Sequence, residues 1–113
     1  MKMFTKKQKD KMIENFKLAN NDNAGDLKPV VKLFGGSACT WLLVDLDIET
    51  NTAFGLCDLG FGFPELGSVS IEELNDIRFP PFGLPIERDL SFKPNKSIME
   101  YNKQAYKLGY IQA

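Results

Sequence analysis

The stretch Trp41-Leu-Leu-Val-Asp-Leu-Asp-Ile48, continued by Glu49-Thr-Asn-Thr52 and Ala53-Phe-Gly-Leu-Cys-Asp-Leu59, decides the fold of this 113-residue chain. Two apolar runs on either side of a short polar segment are typical of a β-hairpin. With Thr50 and Asn51 as the turn pair, one face of the hairpin carries only apolar residues and glycine, in the pairs Leu42–Leu59, Val44–Cys57, Leu46–Gly55 and Ile48–Ala53. A slip of one residue would bring Asp58 to that buried face, so the sequence favours this register.

The opposite face of the predicted hairpin mixes aromatic and acidic side chains. In the favoured register Asp45 opposes Leu56, and Asp58 is its diagonal neighbour at about 7 Å. With Asp47 nearby, three carboxylates lie within reach of one another, a donor set that suits Mg²⁺ or Mn²⁺. A solvated sheet surface explains the same pattern, and no calcium-loop motif supports a metal. We therefore assign no catalytic residue, no cofactor and no metal ligand, and keep Asp45, Asp47 and Asp58 as the alternative metal site.

Capping signals place three helices around the strands. Pairs of residues with capping-box spacing begin at Thr5, Ser70 and Ser97. They predict helices over about residues 6–21, 70–77 and 97–109, the last ending at Gly109.

The remaining elements predict one α+β domain over residues 1–113. Besides the hairpin, strands are expected at about residues 29–34 and 85–92, and a glycine-punctuated loop at 60–67 in which Phe61 and Phe63 point inward. The order α-β-β-β-α-β-α predicts an antiparallel sheet of about four strands with N-terminal and C-terminal helices and one short helix between strands.

Arg88 lies in the segment Ile86-Glu-Arg-Asp-Leu-Ser-Phe92, where strand alternation turns it to the same side as apolar residues. A guanidinium removed from water requires a carboxylate or carbonyl partner. If this strand lies beside the hairpin, Asp45, Asp47 or Asp58 is expected to bind Arg88 in a planar, two-pronged pair that lysine cannot form. The functional alternative is that Arg88 binds a phosphate or carboxylate of a ligand.

Composition excludes several classes of protein. The chain has no histidine, which removes histidine-based triads and the usual zinc sites. Cys39 and Cys57 lack metal-site spacing and are expected to be free thiols. The net charge is −1, but residues 43–90 carry ten carboxylates and two arginines, which leaves mimicry of nucleic acid open if those carboxylates share one exposed surface. The polar N-terminus and the absence of a long apolar run predict a cytoplasmic protein that does not contact the membrane.

Several strings of residues together resemble one family. They include Pro29-Val-Val-Lys-Leu-Phe34, Phe54-Gly-Leu-Cys-Asp-Leu-Gly60, Pro64-Glu-Leu-Gly67 and Ile86-Glu-Arg-Asp-Leu90, in order along nearly the whole chain. On these strings the chain resembles the bacterial domain of unknown function 2958 family. The resemblance implies a small bacterial protein, often carried by mobile genetic elements and sometimes fused to DNA-processing proteins, and it implies no activity. The family motif positions that match here are Trp41, Asp58, Glu65, Gly67, Glu87, Arg88 and Asp89.

These observations favour a non-enzymatic accessory that binds a macromolecular partner in a mobile-element or DNA-processing setting. A protein partner is expected rather than direct contact with nucleic acid. The alternative is a carboxylate metal-dependent enzyme acting on a phosphate-containing substrate. The candidate binding residues combine the polar cluster and the aromatic face, and they are Trp41, Asp45, Asp47, Phe54, Asp58, Glu65, Glu87, Arg88 and Asp89.

Overall fold

A computed structural model describes residues 3–19 and 27–113. In these ranges the helices are α1 (Lys6–Ala19), α2 (Ile71–Asp76) and α3 (Ile98–Leu108). The strands are β1 (Val31–Gly35), β2 (Cys39–Asp47), β3 (Thr52–Asp58), β4 (Glu65–Ser70), β5 (Arg78–Phe79), β6 (Leu84–Pro85) and β7 (Glu87–Arg88). The predicted continuation of α1 to residue 21 lies outside the described residues. No described helix is long and apolar enough to cross a bilayer.

Five strands form one antiparallel sheet in the order β4-β3-β2-β1-β7, and β5 pairs with β6 in a separate small ribbon. The predicted α+β class, with a helix at each end of the chain, is confirmed. Strand β4 begins within the segment predicted as a loop, so the sheet has one strand more than expected. The strand predicted over residues 85–92 is shortened to the two residues of β7 within the main sheet.

Apolar side chains are buried on both faces of the sheet. On one face the side chains of β1, β2 and β3 pack against α1 and α2, through residues that include Met12, Leu33, Trp41, Leu43, Leu46, Ile71 and Leu74. On the other face the sheet packs against α3, through Leu42, Val44, Leu56, Ile98, Tyr101 and Ala105. Because both faces are covered, the central strand β2 has a nearly continuous apolar sequence instead of a strict alternation.

The register of β2 with β3 differs from the predicted one. Leu43 pairs with Gly55 but Asp45 pairs with Phe54, so a β-bulge at Val44 places two residues of β2 opposite one residue of β3. The connection between the strands is also longer than a two-residue turn, because β2 ends at Asp47 and β3 begins at Thr52. The predicted pairs are therefore wrong, and the bulge changes which β2 side chains share a face.

Helix α1 lies along β2 beyond the end of β1. Strand β1 pairs with β2 only as far as Leu43, whose carbonyl accepts the N–H of Val30 at 2.8 Å. The next carbonyl, that of Val44, accepts a hydrogen bond from Asn15 Nδ2 at 2.9 Å. Phe16 lines depressions on both sides of this part of β2. Helix α1 therefore occupies the position that a further strand would take at this edge.

The predicted capping motifs are present at all three helices. Those beginning at Thr5 and Ser97 are reciprocal, with a side-chain-to-backbone hydrogen bond in each direction. At the third, the Ser70 hydroxyl accepts the N–H of Glu73 at 3.2 Å. Helix α3 ends at Gly109, whose φ of 82° is a left-handed conformation that glycine adopts readily.

Candidate functional site

The bulge at Val44 divides the mixed hairpin face that the sequence predicts. Trp41 is 2% exposed and lies in the core on the side of α1. Asp45 pairs with Phe54, and directly paired residues of antiparallel strands share a face, so both point to the opposite side of the sheet. The structure thus brings Asp45, Asp47 and Phe54 together and separates them from Trp41, which packs in the interior.

Asp45 and Asp47 line an open cleft of about 300 Å³ between the end of α1 and the turn end of the sheet. We call it the Asp45 cleft. Its lining residues are Phe16, Ala19, Asp45, Asp47, Thr50, Thr52, Phe54 and Ser68. Two carboxylates, two aromatic rings and three hydroxyl groups therefore meet in one concave surface.

Asp45 is the most buried polar group of this cleft, with 5% of the residue exposed. Its Oδ1 accepts the N–H of Phe54 at 3.0 Å. Burial raises the pKa of the Asp45 carboxyl above its ordinary value; the Phe54 N–H acts in the opposite direction, and the charge of Asp47 raises it further. The environment therefore makes the charged form of Asp45 more costly than it is in water.

Asp58 lies at the other end of β3 and has a different environment. It is 2% exposed, and each of its oxygens accepts a backbone N–H: that of Gly60 at 2.8 Å and that of Ile111 at 3.1 Å. One carboxylate thus fixes both the start of the β3–β4 loop and the segment that follows α3. The role of Asp58 seen here is to hold two chain segments in place.

The three hairpin carboxylates do not form a metal site. Asp45 pairs with Phe54, four residues before Asp58 on the same strand, so the two carboxyls are about 13 Å apart along the sheet at ~3.3 Å per residue. Across residues 3–19 and 27–113, no group of three acidic or cysteine side chains is arranged to hold a metal ion. The diagonal contact between Asp45 and Asp58 was predicted from the wrong register. The alternative metal site, which depends on that contact, is therefore wrong as well.

Arg88 does not lie beside the hairpin either. Strand β7 pairs with β1, with Arg88 opposite Leu33, so β1 separates Arg88 from the strand of Asp45 by two strand spacings, or about 10 Å. Arg88 also shares the face of Leu33, which is the α1 side, whereas Asp45 and Asp58 point to the α3 side. The predicted pair between Arg88 and these carboxylates is therefore wrong.

The other predicted residues are spread along the sheet. Asp89 follows β7, where its Oδ2 lies 3.4 Å from Lys32 Nζ and its N–H donates to the Lys32 carbonyl at 2.9 Å. Glu87 and Glu65 are exposed, on β7 and at the start of β4 respectively. The nine candidate residues thus occupy several separate places. Asp45, Asp47 and Phe54 meet in the Asp45 cleft, whereas Glu87, Arg88 and Asp89 are neighbours only along the chain, at β7.

Sequence reasoning missed a group of exposed apolar side chains. Phe61 and Phe63 are each 79% exposed, although they were predicted to point inward. They belong to a set of large apolar residues exposed at the end of the sheet where β1 and β3 finish. We call this set the apolar rim, and it consists of Phe34, Leu59, Phe61, Phe63, Phe82, Leu84 and Tyr110.

Close backbone approaches connect the segments of the apolar rim. A Cβ added at Gly60 would lie 2.9 Å from the Cβ of Ala38, in the β1–β2 turn, and one added at Gly109 would lie 3.6 Å from the carbonyl oxygen of Gly62. At Gly36 an added Cβ would lie 2.9 Å from the ring of Phe79, at the base of the β5–β6 ribbon. The sequence contained a signal for this exposure. The rim residues alternate with glycine and proline in turn segments, where apolar side chains are hard to bury.

The two thiols are free, as predicted. Burial raises the pKa of Cys57 to about 11, and burial together with the nearby Asp58 raises the pKa of Cys39. Since the thiolate is the reactive form, neither cysteine has the environment of a nucleophile.

Comparison with known proteins gives one positive result. The chain matches the family described as "Protein of unknown function (DUF2958)" over residues 3–112, which is nearly its full length. Neither the curated proteins nor the solved structures include a match. The match extends from the start of the α1 segment to the residues after α3, so it includes the Asp45 cleft, Asp58 and the apolar rim. The chain therefore belongs to the DUF2958 family of proteins of unknown function.

Proposed function

We propose that the chain is a non-enzymatic accessory protein that binds a protein partner through the apolar rim. The observation that carries this proposal is that seven exposed apolar side chains lie on segments that approach one another closely at one end of the sheet. Single exposed apolar residues are common on soluble proteins, whereas a group of them is typical of a surface that contacts another protein. Aromatic residues are also the type most enriched among the residues that dominate binding energy at interfaces.

The way the chain holds Phe61 and Phe63 supports the proposal. Both lie in a short loop whose glycines, Gly60 and Gly62, have φ values of 87° and 88°. The Asp58 carboxylate accepts the Gly60 N–H, and Pro64 is buried at the end of the loop. A loop anchored at both ends presents its aromatic side chains with little entropy left to lose on binding, which favours affinity.

The setting of this binding is part of the same proposal. Resemblance to a family carried by mobile genetic elements favours a partner in a DNA-processing assembly of the bacterial cytoplasm. The rim consists of apolar residues, without the basic groups that contact phosphates, so a protein component of such an assembly fits better than the nucleic acid itself. The burial of Asp45 and Asp58 weighs against mimicry of nucleic acid by the acidic segment, which requires exposed carboxylates.

Site-specific photo-crosslinking tests the proposal. A photoreactive phenylalanine analogue replaces Phe61 in one version of the full chain and Ile48 in another, each expressed in the native host. Ile48 is 56% exposed at the opposite end of the sheet and serves as the matched control. We expect a discrete crosslinked product from position 61 and not from position 48; a product of twice the chain mass would identify the partner as a second copy.

A double variant provides the second measurement. Phe61→Ser with Phe63→Ser removes the two most prominent aromatic side chains of the loop, and because both are exposed, the free energy of unfolding is expected to change by less than about 0.5 kcal/mol. The crosslink formed through an analogue at Phe82 should then disappear. Equal crosslinking at positions 48 and 61, or a product that survives the double substitution, would exclude the rim as the binding surface.

A further inference from the structure

The Asp45 cleft combines features that are unusual for a solvated depression. Asp45 is nineteen-twentieths buried, and the hydrogen bond shown to it within the described ranges is that from the Phe54 N–H to Oδ1. Within the same ranges no ion pair involves Asp45 or Asp47. Keeping a carboxylate largely removed from water with a single backbone hydrogen bond is costly, and a cleft that holds one is a candidate for binding a cation.

The walls of the cleft indicate which kind of cation fits. Phe16 and Phe54 line the cleft together with Ala19 and the two threonines, whose side chains carry methyl groups. Hard metal ions prefer several oxygen ligands, and no group of three acidic or cysteine side chains within the described ranges is arranged to hold one. Organic cations differ, because they pair with a carboxylate, lie against aromatic rings and also have an aliphatic part that favours apolar walls.

We propose that the Asp45 cleft binds an aliphatic ammonium or guanidinium group. Asp45 Oδ2 accepts the charged N–H group, Phe16 and Phe54 flank it, and Thr50, Thr52 and Ser68 provide hydroxyl acceptors for its remaining hydrogens. A volume of about 300 Å³ is at the small end of ligand pockets and suits one charged group with a short carbon chain. The charged group belongs either to a lysine or arginine side chain of a protein or to a free diamine.

The charges around the cleft agree with this assignment. Asp47 adds a second carboxylate on the same strand face, and Glu49 follows two residues later with its N–H donated to Asp47 Oδ1 at 3.1 Å. The side chain of Lys17 lines the neighbouring depression with Asp47 and Glu49, and it is not among the residues that line the Asp45 cleft. The cleft lies at the opposite end of the sheet from the apolar rim, so this proposal stands independently of the proposed function.

Nuclear magnetic resonance titration of the full chain tests the proposal directly. The backbone amide of Phe54 donates to Asp45 and therefore reports on that carboxylate. Four probes are compared: putrescine, the capped side-chain analogues N-acetyl-lysine methylamide and N-acetyl-arginine methylamide, and the neutral alcohol 1-butanol. We expect the three cations to shift the Phe54 amide signal saturably at millimolar concentration and 1-butanol to leave it unchanged. Tighter binding of putrescine would identify a free diamine, and tighter binding of a capped amino acid would identify a protein side chain.

Two substitutions and a control make the test specific. Asp45→Asn retains an acceptor for the Phe54 N–H but removes the charge, and it should weaken binding at least about tenfold. Phe54→Leu keeps the amide reporter but removes the ring, and it should weaken binding about threefold. Asp76→Asn removes an equal charge at an exposed position on α2 and should leave binding unchanged. The proposal is overturned if 1-butanol shifts the Phe54 amide as the amines do, if Asp45→Asn binds the cations as tightly as the unmodified chain, or if no probe shifts that amide.

Discussion

Replacing Asp58 should cost much more stability than its place at the end of a strand suggests. Its two oxygens accept N–H groups from Gly60 and Ile111, which belong to segments far apart in sequence. Hydrogen bonds to a charged acceptor contribute about 1.5–3 kcal/mol each, so two of them give roughly 3–6 kcal/mol before the cost of burying the carboxylate is subtracted. For Asp58→Ala we expect a net loss of about 3 kcal/mol in the free energy of unfolding.

The amide variant separates the charge from the acceptor geometry. The substitution Asp58→Asn preserves the shape of the side chain, but an amide has one oxygen, so this variant can accept only one of the two N–H groups and presents its own NH₂ group to the other. We expect a loss of about 2 kcal/mol for this variant. For a domain of this length each kcal/mol corresponds to roughly 4 °C in Tm, so the alanine variant should melt about 12 °C lower.

Urea denaturation and hydrogen exchange provide the assay. In the alanine variant, protection of the Ile111 amide should fall more than that of the Ile98 amide, which donates to the Leu27 carbonyl at 2.8 Å and does not involve Asp58. Asp47→Asn is the matched control, because Asp47 is half-buried and accepts only the nearby Glu49 N–H among the described residues. Equal stabilities for the alanine variant and this control, or unchanged exchange at Ile111, would refute the reasoning.

Three further predictions concern the sheet interior. Gly55→Ala should lower the free energy of unfolding measured by calorimetry by about 3 kcal/mol, because the added Cβ would overlap the Leu42 carbonyl oxygen. The control is Gly67→Ala at the paired position of β4, where an added Cβ meets nothing within 4 Å and the free energy of unfolding should hardly change. Similar losses in the two variants would contradict this prediction. In urea denaturation, Asp45→Asn should become progressively more stable than the unmodified chain as the pH rises from about 3 to 7. Because the pKa of Asp45 is raised in the folded chain, the unfolded chain releases this proton first, so the unmodified protein loses stability as the pH rises above the ordinary Asp pKa. A stability difference that shrinks as the pH rises would contradict this prediction. Cys57, with a pKa of about 11, should react with iodoacetamide at pH 8 at least tenfold more slowly in the folded chain than in urea, because a smaller fraction of its thiol is ionised in the folded chain. The variant Cys57→Ser should therefore lack the slower of the two reaction phases of the folded chain.

Local features of the fold could be predicted from the sequence because they depend on neighbours three or four residues apart. The caps at Thr5, Ser70 and Ser97 are examples, since each is formed within one turn of helix. The register of β2 with β3 could not, because the bulge at Val44 accompanies a contact with Asn15, which lies 29 residues earlier. Arguments from alternation assume an unbroken strand, and one extra residue changes every later assignment.

In the candidate site, too, contacts between neighbouring strands could be predicted, whereas features that depend on distant parts of the chain could not. Asp45, Asp47 and Phe54 do meet, as the hairpin pattern indicated, because they lie on paired strands close to the turn. The position of Arg88 depends on the order of the strands in the sheet. The sequence does not indicate that β7 pairs with β1 rather than with a strand of the hairpin. Phe61 and Phe63 were assigned to the interior from residue type alone, whereas the buried position at that turn is taken by Pro64.

The position of α1 beside β2 has a consequence for how the chain behaves in solution. Backbone groups at the side of a sheet template the addition of strands from other molecules, which leads to aggregation. The Asn15 side-chain amide of α1 donates a hydrogen bond to the Val44 carbonyl, so the helix prevents strand addition along the part of β2 that β1 does not cover. A chain that begins after Ala19 would leave this stretch of β2 open, and it should form oligomers by strand addition even if the remaining core still assembles.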